Sequence, residues 1–180
     1  NPCFRSEDIN RVLEPQDGWS GLPYSSANPI LPEFHTHLNN VINDVATNYD
    51  VDGIHLDYIR YIPGGFDFDR FPHDPQSHQM FNAATGLDGS KQEHSDIGER
   101  ITDLVASIKQ TVDAAEVSEG RTMEFSASVW RDPDVGLNSY MQDYRTWMEN
   151  DLLDVVMPMI YLSASNDETF FNANLLNTMQ

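Results

Sequence analysis

The sequence predicts an α/β fold of the (β/α)8 TIM-barrel type. Three observations carry that expectation. Helix-periodic stretches alternate with short apolar runs in the order helix, strand, helix, strand, helix, strand, helix, the order of parallel strands joined by helical crossovers. Each of the three strand candidates runs into polar or aromatic residues at its C-terminal end: Asp57-Tyr58, Trp130-Arg131-Asp132, and Met159 to Tyr161. Convergence of such ends on one mouth is what a barrel enzyme requires, because its ligands bind at the C-terminal face of the strands. Finally, 180 residues with 39% hydrophobic content suffice for one sizeable core, and 1–180 is read as a single domain.

Residues 1–32 read as loop, since Pro2, Pro15, Pro23, Pro29 and Pro32 interrupt any regular pattern and Gly18 and Gly21 add turns. Pro32 suits the first turn of a helix to about Asn48, with Phe34, Leu38, Val41, Ile42 and Val45 as its apolar stripe. His35 and His37 lie two apart on that helix and do not share a face, which argues against a metal role. The run 51–59 is the first strand. Alternation puts Gly53, His55 and Asp57 on one face and Ile54, Leu56 and Tyr58 on the other. An imidazole and a carboxylate beside a glycine are poor material for a dry core and suit a strand mouth.

A long polar segment, 62–95, contains Phe66, Phe68, Phe71 and Phe81, so it is expected to fold against the body. Asp67, Asp69 and Asp74 within it do not have EF-hand spacing and are read as solvated carboxylates. Ile97, Ile101, Leu104, Val105, Ile108 and Val112 define a helix from about Ser95 to Ala115. The second strand is 123–130, with Phe125, Ala127 and Val129 facing one way and Ser126, Ser128 and Trp130 the other. A short helix over 141–150 and a third strand over 153–161 follow, and 169–179 reads as a last helix. Pro158 cannot donate to a sheet ladder, which implies an irregular strand near a site.

Composition narrows the partners. The net charge of −19, from 10 basic and 29 acidic residues, argues against nucleic acid, since phosphates are repelled and no basic stripe exists. Lys91 and Lys109 are the sole lysines, a balance that fits either a saline habitat or the ordinary acidity of a secreted or bacterial enzyme. Cys3 is the single cysteine, so no internal disulfide forms and a Cys-based metal site is excluded. No apolar run approaches the roughly 20 residues that span a bilayer. The chain starts at Asn1 and stops within a helix-like stretch, and a piece of a longer protein is expected.

The block Asp50-Val51-Asp52-Gly53-Ile54-His55-Leu56-Asp57-Tyr58-Ile59-Arg60-Tyr61 resembles the YDVDGIHxDxxxYP block of the glycosyl-hydrolase-like 10 family, found in bacterial lipoproteins and cell-envelope proteins. The run 125–130 is similar to its SxxxxW strand and 151–161 to its GxxDxxxPQxY strand, and the approach from Leu22 to Phe34 resembles its LNPGxPEVR segment. The likeness covers about 20–165. Three departures stand out: Tyr58 replaces the second acid of an HFDDY sequence, Met159 stands where many members have Gln, and Ile62 is inserted before Pro63. The resemblance implies a (β/α)8 barrel, glycosidase activity and a polysaccharide or cell-wall glycan as substrate, in an extracytoplasmic setting (periplasmic, secreted or lipid-anchored). A full barrel takes about 250 residues, so this chain would hold the central β/α units, with the missing strands supplied by a longer parent.

Glycoside hydrolysis generally needs two carboxyl groups across the scissile bond. Asp57, at a strand end, is the first choice. Asp132, which follows the second strand with Asp134, is the second. A carboxylate from the missing strands, or the substrate's own acetamido group, is an alternative to Asp132. Asp52, Glu124 and Asp154 lie at the opposite strand ends and are expected to be structural. His55 is read either as a partner of Asp57 or a sugar hydroxyl, or as a satisfied interior histidine. Arg60, Tyr61, Met159, Trp130 and Tyr161 are the remaining substrate-binding candidates, the last two as stacking platforms for sugar C–H faces. Tyr58 is expected to pack outward into the core. No cofactor and no metal are expected. Two competing readings remain: a non-catalytic carbohydrate-binding relative, and a divalent-metal hydrolase using Asp57, His55 and Asp132.

Overall fold

A computed structural model describes residues 31–60 and 95–161, with positions 29, 79, 82, 83 and 86. The chain divides into two compact units, Asn1–His37 with Ile62–His94, and Leu38–Tyr61 with Ser95–Gln180. In the first unit, the opening turn of helix α1 (Pro32–Asn48) is held by the Phe34 N–H on the carbonyl of Leu31 at 2.9 Å and by His35 Nε2 on the carbonyl of Pro29 at 2.7 Å. The segment 62–95, apart from the isolated positions above and the opening of the second helix, and the expected helix at 169–179 lie outside the described residues.

The second unit carries a parallel sheet of three strands, β1 (Gly53–Leu56), β2 (Glu124–Val129) and β3 (Val155–Pro158), in the order β1-β2-β3. Helix α2 (Ser95–Glu119) connects β1 to β2, and α3 (Pro133–Tyr140) and α4 (Tyr144–Glu149) connect β2 to β3. The alternation read from the sequence is therefore present as parallel strands with helical crossovers; the described residues form an open sheet. Register pairs Ile54 with Phe125 and Leu56 with Ala127, then Ala127 with Val156 and Val129 with Pro158.

This register sorts the side chains. Ile54, Leu56, Phe125, Ala127 and Val129 share one face and are buried, the last three completely. They belong to the same core as Ile101, Leu104, Val105, Ile108 and Val112 of α2 and Trp147 of α4. Trp147 ties the two helices together, since its Nε1 donates to Thr102 Oγ1 at 2.8 Å. Gly53, His55, Ser126, Ser128 and Met157 occupy the other face, on which His55 and Met157 are exposed. Gly53 is required where it stands, because a Cβ there would lie 2.2 Å from the carbonyl oxygen of Glu124.

Two polar devices fasten the N-terminal side of the sheet, and a third joins α1 to α2. The last turn of α1 has no basic residue, and Arg121 serves its carbonyl end from outside. The guanidinium donates to the carbonyls of Ala46 at 2.7 Å, Tyr49 at 2.9 Å, and Val51. Asp154 accepts the Phe125 N–H on Oδ2 at 2.7 Å, the structural part expected of a carboxylate at the start of β3. Asn39 of α1 donates to Ser107 at 3.0 Å and accepts from Thr111 at 2.8 Å, both on α2.

Several expectations need correcting. The first strand ends at Leu56, not Ile59, because Tyr58 takes a left-handed backbone conformation (φ 57) that no strand continues through. On α1 the buried positions are Ile42 and Ala46, while Val41 is exposed. Helix α2 runs four residues further, to Glu119. Helix α3 is new: Asp132 caps it, with Oδ1 accepting from the N–H groups of Asp134 and Val135 at 3.0 Å, and Pro133 opens it. It ends at Met141 in a left-handed conformation (φ 56), whose N–H reaches the carbonyl of Leu137 at 3.1 Å. Pro158 is the last residue of β3, and Met159 makes the next ladder bond to the carbonyl of Val129 at 2.9 Å, so the proline closes the strand.

Candidate functional site

The C-terminal ends of β1 and β2 are bound together by one side chain. Gln142, fully buried after α3, accepts the backbone N–H of Trp130 on Oε1 at 2.9 Å. Its Nε2 donates to the carbonyls of Ile59 and Ser128, both at 3.2 Å. Three backbone groups that leave their ladders at the sheet's end are thereby satisfied. The loop 57–60 and the end of β2 are held in one geometry as a result.

On that support sits an aromatic cluster around Arg60. The Trp130 and Tyr140 rings stack with centroids 4.3 Å apart and an interplanar angle of 27°. The Arg60 guanidinium carbon lies 4.6 Å from the Tyr58 ring centroid, 5.2 Å from that of Tyr140 and 5.7 Å from that of Trp130. All three distances are within the range of a cation–π attraction. Tyr58 is 60% exposed, so it is not the core residue the sequence suggested. Its left-handed backbone turns the ring away from the face that alternation assigned to it.

Asp57 follows β1 and is exposed; its Oδ1 accepts the Tyr58 N–H at 2.9 Å and so braces the strained turn. Asp132 is partly exposed, with Oδ1 engaged at the α3 N-terminus. His55 is exposed on the open sheet face. Its Nδ1 lies 3.0 Å from Ser126 Oγ and its Nε2 2.9 Å from Ser128 Oγ. As a neutral imidazole it donates to one hydroxyl and accepts from the other. Its partners are thus serines of β2, and no bond joins it to Asp57 among the described residues.

Arg60 and Trp130 are brought together, while Met159 and Tyr161 are not joined to them. Met159 is bound through its backbone to Val129, and Tyr161 is 75% exposed, without a ring contact to Trp130 among the described residues. Tyr61 lies outside the described residues. No group of three His, Cys, Asp or Glu side chains suited to a metal ion occurs among the described residues, so Asp57, His55 and Asp132 do not assemble as a ligand set. Beneath the cluster, Tyr144 is buried with its hydroxyl unpartnered; desolvation pushes its pKa up to about 12, with Arg145 opposing and Asp132 and Asp134 adding to the rise.

Sequence reasoning passed over Gln142 and Tyr140. The one signal for them was the Asp132-Pro133 pair, a helix-start signature that places both residues at the far end of a short helix returning to β2.

The fold and site define an α/β protein with a polar and aromatic cluster at the C-terminal ends of parallel strands, the usual location of ligands in such folds. The family model glycosyl hydrolase-like 10 matches residues 19–176, and the chain belongs to this family. No curated protein matches the chain.

Proposed function

We propose that the chain is the central part of a (β/α)8 glycosidase that acts on a bacterial polysaccharide or cell-wall glycan. The observation that carries this reading is the stacked Trp130–Tyr140 pair at the C-terminal strand ends, in a chain that belongs to a glycosyl hydrolase-like family. Flat aromatic faces fixed at a strand mouth suit the C–H faces of a sugar ring. The open sheet face bearing His55, Ser126 and Ser128 fits the polar interior of a barrel whose other strands come from a longer parent chain.

In this reading Asp57 exchanges a proton with the glycosidic oxygen. Asp132 contributes its Oδ2 as the second carboxyl group, since Oδ1 is held at the helix start. Arg60, Tyr61, Trp130, Met159 and Tyr161 hold the glycan, and His55 orders the hydroxyls behind Asp57. Such a substrate lies outside the cytoplasm, and the protein is placed there with it. No described helix is long and apolar enough to cross a membrane.

A second reading is a non-catalytic glycan-binding relative. It is favoured by the local duties of both carboxylates, Asp57 at the Tyr58 turn and Asp132 at the α3 cap. Asp57→Asn in the full chain separates the two. Release of reducing ends from cell-wall glycan by the wild type should fall by about 100-fold or more in the variant, the scale of acid–base catalysis, with binding retained. A wild type that binds glycan, releases nothing and is matched by Asp57→Asn makes it a binding protein.

A further inference from the structure

No ion pair to Arg60 exists among the described residues, and its Nε and Nη1 are buried with no hydrogen-bond acceptor. The rings of Tyr58, Tyr140 and Trp130 stabilise the charge, but ring faces are poor acceptors for N–H groups. Buried donors without acceptors are rare in folded proteins and call for an explanation. Arg60 as a whole residue is only partly buried. Its planar fork matches a carboxylate.

The surroundings specify the rest of the ligand. Beside the guanidinium stands the Trp130–Tyr140 stack, a surface for a sugar ring. Behind it, the Tyr58 ring is held at a backbone φ of 57, unfavourable for a non-glycine residue, and the Asp57 carboxylate maintains that turn. Energy is thus spent to keep a ring against an arginine that no acid among the described residues neutralises. At physiological ionic strength the field of distant carboxylates is screened over about 8 Å, so the net charge of −19 does not prevent an anion from pairing at contact.

We propose that Arg60 is the receptor for a carboxylate borne on a sugar ring stacked against Trp130, so that the site selects acidic glycans. This rests on the glycan reading above and names its substrate class. Two sources carry that chemistry: the ring carboxylate of a uronic acid, and the ether-linked lactyl carboxylate of peptide-free wall glycan.

The test is calorimetric titration of the full chain with a glucuronate-containing oligosaccharide and with peptide-free wall glycan, each beside its carboxyl-reduced counterpart. One acidic member should bind at least 10-fold more tightly than its reduced form, and which pair shows the preference identifies the source. Arg60→Gln should abolish that ratio. Arg60→Lys, which keeps the charge and loses the fork, should retain a smaller ratio, and it carries the test if Arg60→Gln does not fold. Equal binding of acidic and reduced forms by the wild type overturns the proposal, as does a ratio unchanged in both variants, or no binding to either acidic glycan. Acid preference without hydrolysis removes the glycosidase reading alone; hydrolysis indifferent to carboxyl reduction removes this one alone.

Discussion

The Gln142 side chain and the Trp130 backbone form a 2.9 Å hydrogen bond in which a fully buried amide oxygen accepts the N–H that ends β2. The same amide donates to Ile59 and Ser128, so one residue holds the ring platform and the Asp57-bearing loop in a common frame. Gln142→Leu keeps the approximate volume and strands three backbone groups. Each buried unsatisfied group costs about 1–3 kcal/mol, so a loss of about 3 kcal/mol or more is expected in urea denaturation. Gln142→Ala adds a cavity to the same loss and should be worse. A variant that unfolds at the wild-type urea concentration would show that the amide bears no such load.

Asp132 is both the α3 cap and the second carboxylate of the proposed chemistry, and the two duties are separable. Asn caps a helix about as well as Asp does, whereas Ala loses about 1 kcal/mol. Asp132→Asn should therefore keep wild-type thermal stability and lose glycan cleavage, and Asp132→Ala should lose both. Full cleavage by a stable Asp132→Asn protein would confine this residue to helix capping and transfer the second role to another acid.

Tyr144 supplies a pH dependence of known sign. Its folded pKa is raised from 10.0 to about 12, chiefly by desolvation. The folded state thus holds the phenolic proton more tightly than the unfolded chain does. The contribution is fully present below pH 10 and is lost as pH rises from about 10 to about 12. Thermal midpoints measured across that window should fall. Tyr144→Phe should flatten this part of the profile and leave stability at pH 7 unchanged or slightly improved, because the hydroxyl it removes has no partner.

Much of this molecule was legible from spacing alone. Alternating side chains in 53–56 and 124–129 identified the buried and open faces of the sheet, since a parallel strand shows its period directly. The long periodic run after Ser95 likewise gave α2. Other features had no such repeat. Helix α3 has eight residues and contains Gly136, too short and mixed to show a helical period. The end of β1 depended on Tyr58 adopting a left-handed conformation, which a tyrosine codon does not announce. Trp130 and Arg60 were recognised as strand-end residues. Their meeting required Tyr140 and Gln142, single residues whose importance arises from where the chain brings them.

The left-handed backbone at Tyr58 has an engineering corollary. Gly or Asn at position 58 would relax the turn, and a search for heat-tolerant variants would enrich for them. Those same winners would remove one wall of the arginine's enclosure. At this residue thermal robustness and the proposed ligand discrimination pull in opposite directions.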